Sequence, residues 1–127
     1  MLVIDASVLA DALLVAGPAR ERLASSNLQV PELIDAELLS VLRRLVLADK
    51  LPEGHALQAL ATAERLGLRR HPSRCLWPRA WELRTNLSAY DDLYVVLAEQ
   101  LNAPLLTADA HLARAPGLRC SVEVLEP

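Results

Sequence analysis

Residues 88–109 read SAYDDLYVVLAEQLNAPLLTAD, and the fold follows from how this stretch is parsed. Tyr90, Leu93, Tyr94, Leu97, Ala98 and Leu101 recur at steps of three and four, so 88–102 is expected to be a helix with one apolar stripe. At about 1.5 Å per residue it runs roughly 20 Å. After Ala103 and Pro104, the short apolar run Leu105, Leu106 and Thr107 reads as a buried strand going back the other way. In a parallel sheet the helix feeding a strand runs antiparallel to it. The helix start, with Asp91, therefore returns to the strand's carboxyl end, with Asp109. Open α/β sheets place their chemistry at that edge. A purely structural account is available too: Ser88 followed by Asp91 resembles a capping box, and acids in a first helical turn suit the helix dipole.

Working outward, the chain's start repeats the pattern. Leu2, Val3 and Ile4 form a short apolar run closed by Asp5, and helical spacing begins at once from Ala6 to Val15, giving strand, sharp turn and helix. Asp5 lies at the carboxyl end of that strand, where capping of the next helix alone would account for it. Gly17 and Pro18 break the chain, 19–25 reads as a short polar helix, and Leu28 to Val30 as a second strand. Pro31 is then suited to opening the longest helix, 32–49. Ile34, Leu38, Val41, Leu42 and Leu45 share one face of it, while Leu33, Leu39 and Leu47 spread around the rest. Such a helix is central, or it meets another subunit. Its early turns bring a further acid to the same edge; the wheel does not choose between Asp35 and Glu37.

The remaining segments are plainer. A helix over 55–66 stops at Gly67, 68–71 is a candidate third strand, and 73–86 is helical with Trp77 and Trp81 one turn apart, a core or interface pair rather than a base-stacking platform. Arg69, Arg70, Arg74, Arg79 and Arg84 make this the one local basic concentration, and are the candidates for holding the backbone of a polyanion. Beyond Asp109, a short helix ends before Pro116 and Gly117, and 120–125 alternates like an edge strand.

Composition bounds what this chain does. At 127 residues and 53% hydrophobic it is one globular domain, 1–127, able to bury about two-thirds of its unfolded surface. A formal charge of −3 argues against nucleic-acid binding by blanket electrostatics. Of the basic residues only Lys50 is lysine, a bias that genome composition explains as readily as phosphate recognition. Cys75 and Cys120 are far apart and in no metal-like spacing, the apolar start carries Asp5 and Asp11 instead of a basic leader, and no run is long enough to span a bilayer. A cytoplasmic protein with free thiols is expected. His55, His71 and His111 show no ligand spacing.

Asp5, Asp91 and Asp109, with the acid from the long helix, thus collect on one rim of a parallel sheet. Unit charges about 4 Å apart repel by roughly 4 kcal/mol at an effective dielectric of about 20, so such a cluster needs protons or cations. Carboxylate oxygens without thiolates or paired imidazoles select a hard ion, Mg²⁺ or Mn²⁺, over Zn²⁺. An ion so held, with positions open for water and a phosphate oxygen, suits in-line hydrolysis of a phosphodiester. A Walker loop, a G-x-G-x-x-G turn and an Asp-x-Asp pair after the first strand are all missing.

Three segments, VIDASVLADALL at 3–14, VPELIDAELLSVLRRL at 30–45 and SAYDDLYVVLAEQLNAPLLTADAHLA at 88–113, resemble in order and spacing the three signatures of PIN-domain proteins. In length and wording they are most similar to VapC toxins of bacterial toxin-antitoxin pairs. The resemblance covers nearly the whole chain. It implies a PIN-like three-layer α/β fold with a central parallel sheet of about four to five strands flanked by helices, a metal-dependent endoribonuclease site, a homodimer and a cognate VapB-type antitoxin. Carried onto this sequence, the family's acidic positions are Asp5, Glu37, Asp91 and Asp109, with Ser7 and Thr107 as hydroxyl neighbours. It thereby selects Glu37 over Asp35 and Asp91 over Asp92.

Three functions compete at this level. The first is a Mg²⁺-dependent endoribonuclease toxin, the second a PIN-domain RNA-processing nuclease without an antitoxin, and the third a non-catalytic interaction domain whose acids only cap helices. An antitoxin-like reading frame immediately upstream separates the first two, and loss of cleavage on neutralising Asp5 or Asp91 separates both from the third.

Overall fold

The computed structural model describes residues 1–126; Pro127, the last residue of the expected 1–127 domain, lies outside them. Five short strands, β1 (Leu2–Ile4), β2 (Leu28–Pro31), β3 (Arg69–His71), β4 (Leu105–Thr107) and β5 (Val122–Val124), form one sheet in the order β3-β2-β1-β4-β5. All four pairings are parallel, with Val3 opposite Gln29 on one side and Leu105 on the other. This is the α/β sheet expected from the sequence. β1, β2 and β4 are buried along their whole length, which is why Leu2–Ile4 and the pair Leu105 and Leu106 read as unbroken apolar runs; in β2 the run is interrupted by buried Gln29, whose side chain bonds Asn27 and His71. β3 and β5 are the edges and are wetter.

The chain order places the functional edge. From β1 the chain winds outward through β2 and β3, then crosses back to β4 and on to β5. Connections leaving β1 and β4 diverge, opening a crevice at their carboxyl ends. Helices α1 (Ala6–Leu14), α2 (Pro18–Ala24), α3 (Ile34–Leu47) and α4 (Glu53–Arg65) pack among themselves through α1 and α3. Helix α5 (Trp77–Glu82) packs on α6 (Ala89–Leu101), which lies on β1, β2 and β4, and α7 (Ala110–Ala113) packs on β5. No helix among the described residues is long and apolar enough to cross a membrane.

Several local expectations are corrected. Pro31 does not open the long helix; it ends β2, paired with His71, and the Glu32 N–H continues the ladder onto His71 O at 2.9 Å. Helix α3 begins only at Ile34 and ends at Leu47, with Asp49 in the left-handed region at φ 55 closing it. Gly67 is not a left-handed stop, since α4 ends in extended backbone at Leu66. The glycine that uses positive φ is Gly117, at 82°, where a Cβ would also press on Asn86 at 3.1 Å.

The expected helix over 73–86 is a 3₁₀ turn, Ser73–Leu76, followed by the short α5, with Pro78 near the start of the new helix. Trp77 and Trp81 are 58% and 69% exposed, so they are not a core pair. In α6 the buried arc is wider than one stripe: Val95 and Val96 join Tyr94, Leu97 and Ala98 inside, while Tyr90 is exposed. A helix covered by the sheet beneath and by α5 above loses the polar face that periodicity relies on.

Candidate active site at the sheet's switch point

Asp5 leaves β1 directly into α1 and is its N-cap, accepting the Val8 N–H at 3.1 Å and the Ser7 hydroxyl at 2.6 Å on Oδ1. Its other oxygen, Oδ2, accepts the Thr107 hydroxyl from the end of β4, and its own N–H donates to Leu106 O at 3.3 Å. Asp5 is thus stitched across the switch point by both side chain and backbone. Thr107 in turn accepts the Asp109 N–H at 3.0 Å, and Asp109 caps α7 by accepting the His111 N–H at 2.9 Å. Ser88 caps α6 by accepting the Asp91 N–H at 3.2 Å. Capping of helices is therefore genuine at Asp5 and Asp109, and both hydroxyls singled out in the sequence, Ser7 and Thr107, orient Asp5.

Caps alone do not account for the electrostatics. Glu37 is pushed above the ordinary carboxylate range by burial, with repulsion from Asp91 and Asp5 adding to it and a hydrogen bond from Tyr94 opposing it. Asp91 is likewise raised by burial, then by the charges of Asp109 and Asp5, against a lowering hydrogen bond with Ser88. Each of the four carboxylates is therefore within electrostatic reach of at least one of the others, although they come from the ends of β1 and β4 and the first turns of α3 and α6.

Their near neighbours go elsewhere. Asp35 is held by Arg70 through three N–H···O approaches of 2.8 to 3.1 Å. Asp92 turns away from the cluster into the α5–α6 side, where it is 2% exposed with Oδ1 unpartnered. The choices between Asp35 and Glu37 and between Asp91 and Asp92, open on the helical wheel, are thus made by packing.

One polar interaction was hidden in the sequence. Tyr94 reads as part of an apolar stripe, yet its hydroxyl donates to Glu37 Oε1 at 2.6 Å and its ring is 1% exposed. The available signal was chemical: a chain with no Phe places Tyr in the buried stripe, and a buried phenol needs a partner.

Among the described residues, no three His, Cys, Asp or Glu side chains are gathered as ready-made ligands around one point. Four like charges in a half-buried crevice stand apart unless something positive draws them in. Their chemistry still fits a hard divalent cation: the donors are all carboxylate oxygens, and Glu37 and Asp91, raised first by burial, are raised further by the neighbouring carboxylates.

The five arginines do not form one free patch. Arg79 is withdrawn from the RNA-binding candidates, since its side chain is 18% exposed and is held by Glu99, Glu82 and Gly117 O. Arg70 is tied to Asp35. Arg84 lies 4.7 Å over the Trp81 ring, and Arg69 and Arg74 are exposed.

A parallel five-stranded sheet with four acids around its switch point is the frame that the sequence resemblance implied, and comparison with known proteins shows the family. Residues 2–118 match the PIN domain family, so the chain belongs to it. It is 46% identical to Ribonuclease VapC9 of Mycobacterium tuberculosis over 125 residues, covering 98% of each chain. With Ribonuclease VapC1 of the same species it shares 42% over 128 residues, covering 97% of this chain and 96% of the relative. Among solved structures it resembles VapBC2 from Rickettsia felis bound to a DNA fragment from their promoter, with a TM-score of 0.70, 17% identity and 98% of both chains covered. The fold also matches VapC20 of Mycobacterium tuberculosis, a Sarcin-Ricin loop cleaving toxin, with a TM-score of 0.65, 19% identity and coverage of 90% of this chain and 94% of that one.

Proposed function

We propose that this chain is an endoribonuclease of the VapC type, the toxin of a toxin-antitoxin pair, acting in the cytoplasm as a single PIN domain. The observation that carries the reading is the electrostatic coupling of Asp5, Glu37, Asp91 and Asp109 at the sheet's switch point, in a family whose relatives are ribonucleases by name. These four residues are the ones that would hold Mg²⁺ or Mn²⁺. When bound, the ion supplies a polarised phosphate oxygen and a more acidic water.

The chain's own residues do the rest. Thr107 and Ser7 fix the Asp5 carboxylate by donating to both of its oxygens. Tyr94 holds Glu37 at one oxygen and leaves the other free. Exposed Arg69, Arg74 and Arg84 are assigned to the RNA backbone, each as a phosphate contact outside the acidic crevice. A VapB-type antitoxin and a second copy of the chain complete the proposed assembly. The antitoxin is expected over the acidic rim with a basic side chain, since a cation answers what the carboxylates lack.

Asp5→Asn and Asp91→Asn test the reading with purified protein, Mg²⁺ or Mn²⁺ and total RNA. Each is expected to cut cleavage by about 10²-fold or more, as loss of a group that acts on the reacting centre does. Wild-type cleavage by either variant would return that acid to a structural role and favour the non-catalytic interaction domain, for which Asp5 and Asp109 as genuine caps are the supporting observation.

A further inference from the structure

The α5–α6 side carries a second feature that the nuclease reading does not use. A groove of about 750 Å³ runs between α5 and the start of α6, walled by Trp77, Trp81, Leu87 and Leu93, with Arg84 at its rim and Asp92 in its lining. Asp92 is 98% buried as a residue, and its Oδ1 has no hydrogen-bond partner. The half-buried cation on that side, Arg79, lowers the proton affinity of Asp92 through its charge but makes no hydrogen bond to it: its donors are taken by Glu99, Glu82 and Gly117 O. Around it lie further negative charges, Asp91 on the same turn and Glu99 along α6.

A buried carboxylate with an unpaired oxygen is costly, and replacing it with a packed apolar group would relieve the fold. Buried polar groups left unsatisfied are few in native proteins and call for a reason. Here the reason lies in the groove. Its walls are apolar and aromatic and include both tryptophans of the chain, exposed as a core pair would never be. Its lining offers a negative charge at a place a phosphate would avoid, so an RNA backbone held by Arg84 at the rim stays outside the groove itself. What fits both is a cationic head on an apolar stem: a long basic side chain buries its methylenes along apolar surface while its head seeks a carboxylate. Aromatic rings beside it add cation–π attraction.

We propose that the α5–α6 groove is a docking site for a segment of a partner protein that seats an arginine or lysine on Asp92, with apolar side chains against Trp77, Trp81 and Leu93. Central aromatic residues around a desolvated charge pair are the composition of an interaction hot spot. The site is separate from the acidic crevice and stands whether or not that crevice cuts RNA.

Trp77 and Trp81 are the chain's tryptophans, so intrinsic fluorescence of the full chain reports on this groove. The probes are the capped tripeptide acetyl-Leu-Arg-Leu-amide and its citrulline counterpart, which keeps the shape and removes the charge. The arginine peptide is expected to change the fluorescence saturably and to bind about tenfold tighter than the citrulline peptide, as a paired buried charge requires. Asp92→Asn, nearly isosteric and free of the buried charge, is expected to fold, to bind both peptides and to lose the preference. Equal binding of the two peptides by the wild type, or no response to either, overturns the proposal without reference to any variant. So does a preference retained in Asp92→Asn. A fluorescence change that follows protein concentration alone, together with a dimer in sedimentation, assigns the groove to a second copy and likewise overturns it.

Discussion

Asp91 and Asp92 are neighbours with opposite surroundings. Asp91 faces three other carboxylates, and removing its charge relieves repulsion in the metal-free protein. Asp91→Asn is therefore expected to melt higher than wild type in EDTA, by a few degrees if about 1 kcal/mol is recovered. It is also expected to lose most of the stabilisation that Mg²⁺ gives. Melts with and without Mg²⁺ check both; a variant that melts well below wild type would make Asp91 a structural residue. Asn at position 5 keeps an N-cap on its amide oxygen but loses the acceptor for the Thr107 hydroxyl, so Asp5→Asn is expected to gain less in EDTA than Asp91→Asn.

Tyr94 gives a second test at this scale. Its hydroxyl lowers the proton affinity of Glu37 against the raising effects of burial, Asp91 and Asp5. Tyr94→Phe removes that hydrogen bond, at a cost of about 1 kcal/mol, and lets Glu37 rise further. A metal ligand must be deprotonated. The acid limb of the pH–cleavage profile should accordingly move to higher pH, with Mg²⁺ needed at higher concentration near neutrality. An unmoved acid limb would separate Tyr94 from the site.

At the scale of elements, α5 is short, carries exposed tryptophans and has no buried residue of its own, and Arg79 binds it to α6 and to the Gly117 turn. The partner, Glu99, is pushed up by burial, but hydrogen bonds from Arg79 and the Arg119 N–H, with their charges, outweigh this and hold it below its ordinary value of 4.5. Glu123 is also lowered, by its hydrogen bond from Arg22. A depressed carboxylate gives stability that is fully present above about 4.5 and is lost as pH falls through the folded value. Glu37 and Asp91, raised, act with the opposite sign: protonating them relieves the native state. Acid destabilisation below about pH 4.5 is thus expected to run through Glu99. Glu99→Gln should lower stability at pH 7 by about 2–3 kcal/mol, since Arg79 is left short of its counter-charge, and should flatten the dependence of Tm on pH between about 4.5 and 3. A variant with the wild-type pH slope would place the acid sensitivity elsewhere.

Helix α3 shows the same element-level logic for surfaces. Leu39 and Leu47 are 56% and 67% exposed, on a helix whose buried residues are Ile34, Leu38 and Leu42. Its surplus leucines are the observation behind the proposed homodimer.

At the scale of the whole molecule, the dimer is tested by Leu39→Glu and Leu47→Glu. An unpaired charge placed in an interface costs several kcal/mol. Sedimentation at micromolar concentration is expected to show wild-type dimers and variant monomers with unchanged circular dichroism. A monomeric wild type, or dimers indifferent to both substitutions, would free this face. RNA association is a second whole-molecule property, since a chain of net charge −3 must bind a polyanion through local interactions. Replacing Arg69, Arg74 and Arg84 together by Gln in cleavage-deficient protein should weaken RNA binding and flatten the log–log salt dependence by about one unit for each of the three that neutralises a phosphate. Arg79→Gln should instead cost stability, as its guanidinium is already engaged.

Much of this was legible in the sequence because it is local or topological. Apolar runs closed by acids, at Leu2 to Asp5 and Leu105 to Asp109, mark strands whose carboxyl ends carry charge, and a parallel sheet brings such ends together. Composition of the donors named the class of ion they suit. Three properties were decided only by tertiary structure. Which of Asp35 and Glu37 serves the crevice depended on Arg70 arriving from β3 to occupy the former, and a helical wheel does not contain β3. The buried arc of α6 depended on α5 covering its outer side, so Tyr90 left the stripe and Val95 and Val96 joined the core. Exposure of Trp77 and Trp81 depended on where α5 ends and the chain turns away. Periodicity records which faces a helix has; only the packed chain determines what, if anything, lies against each of them.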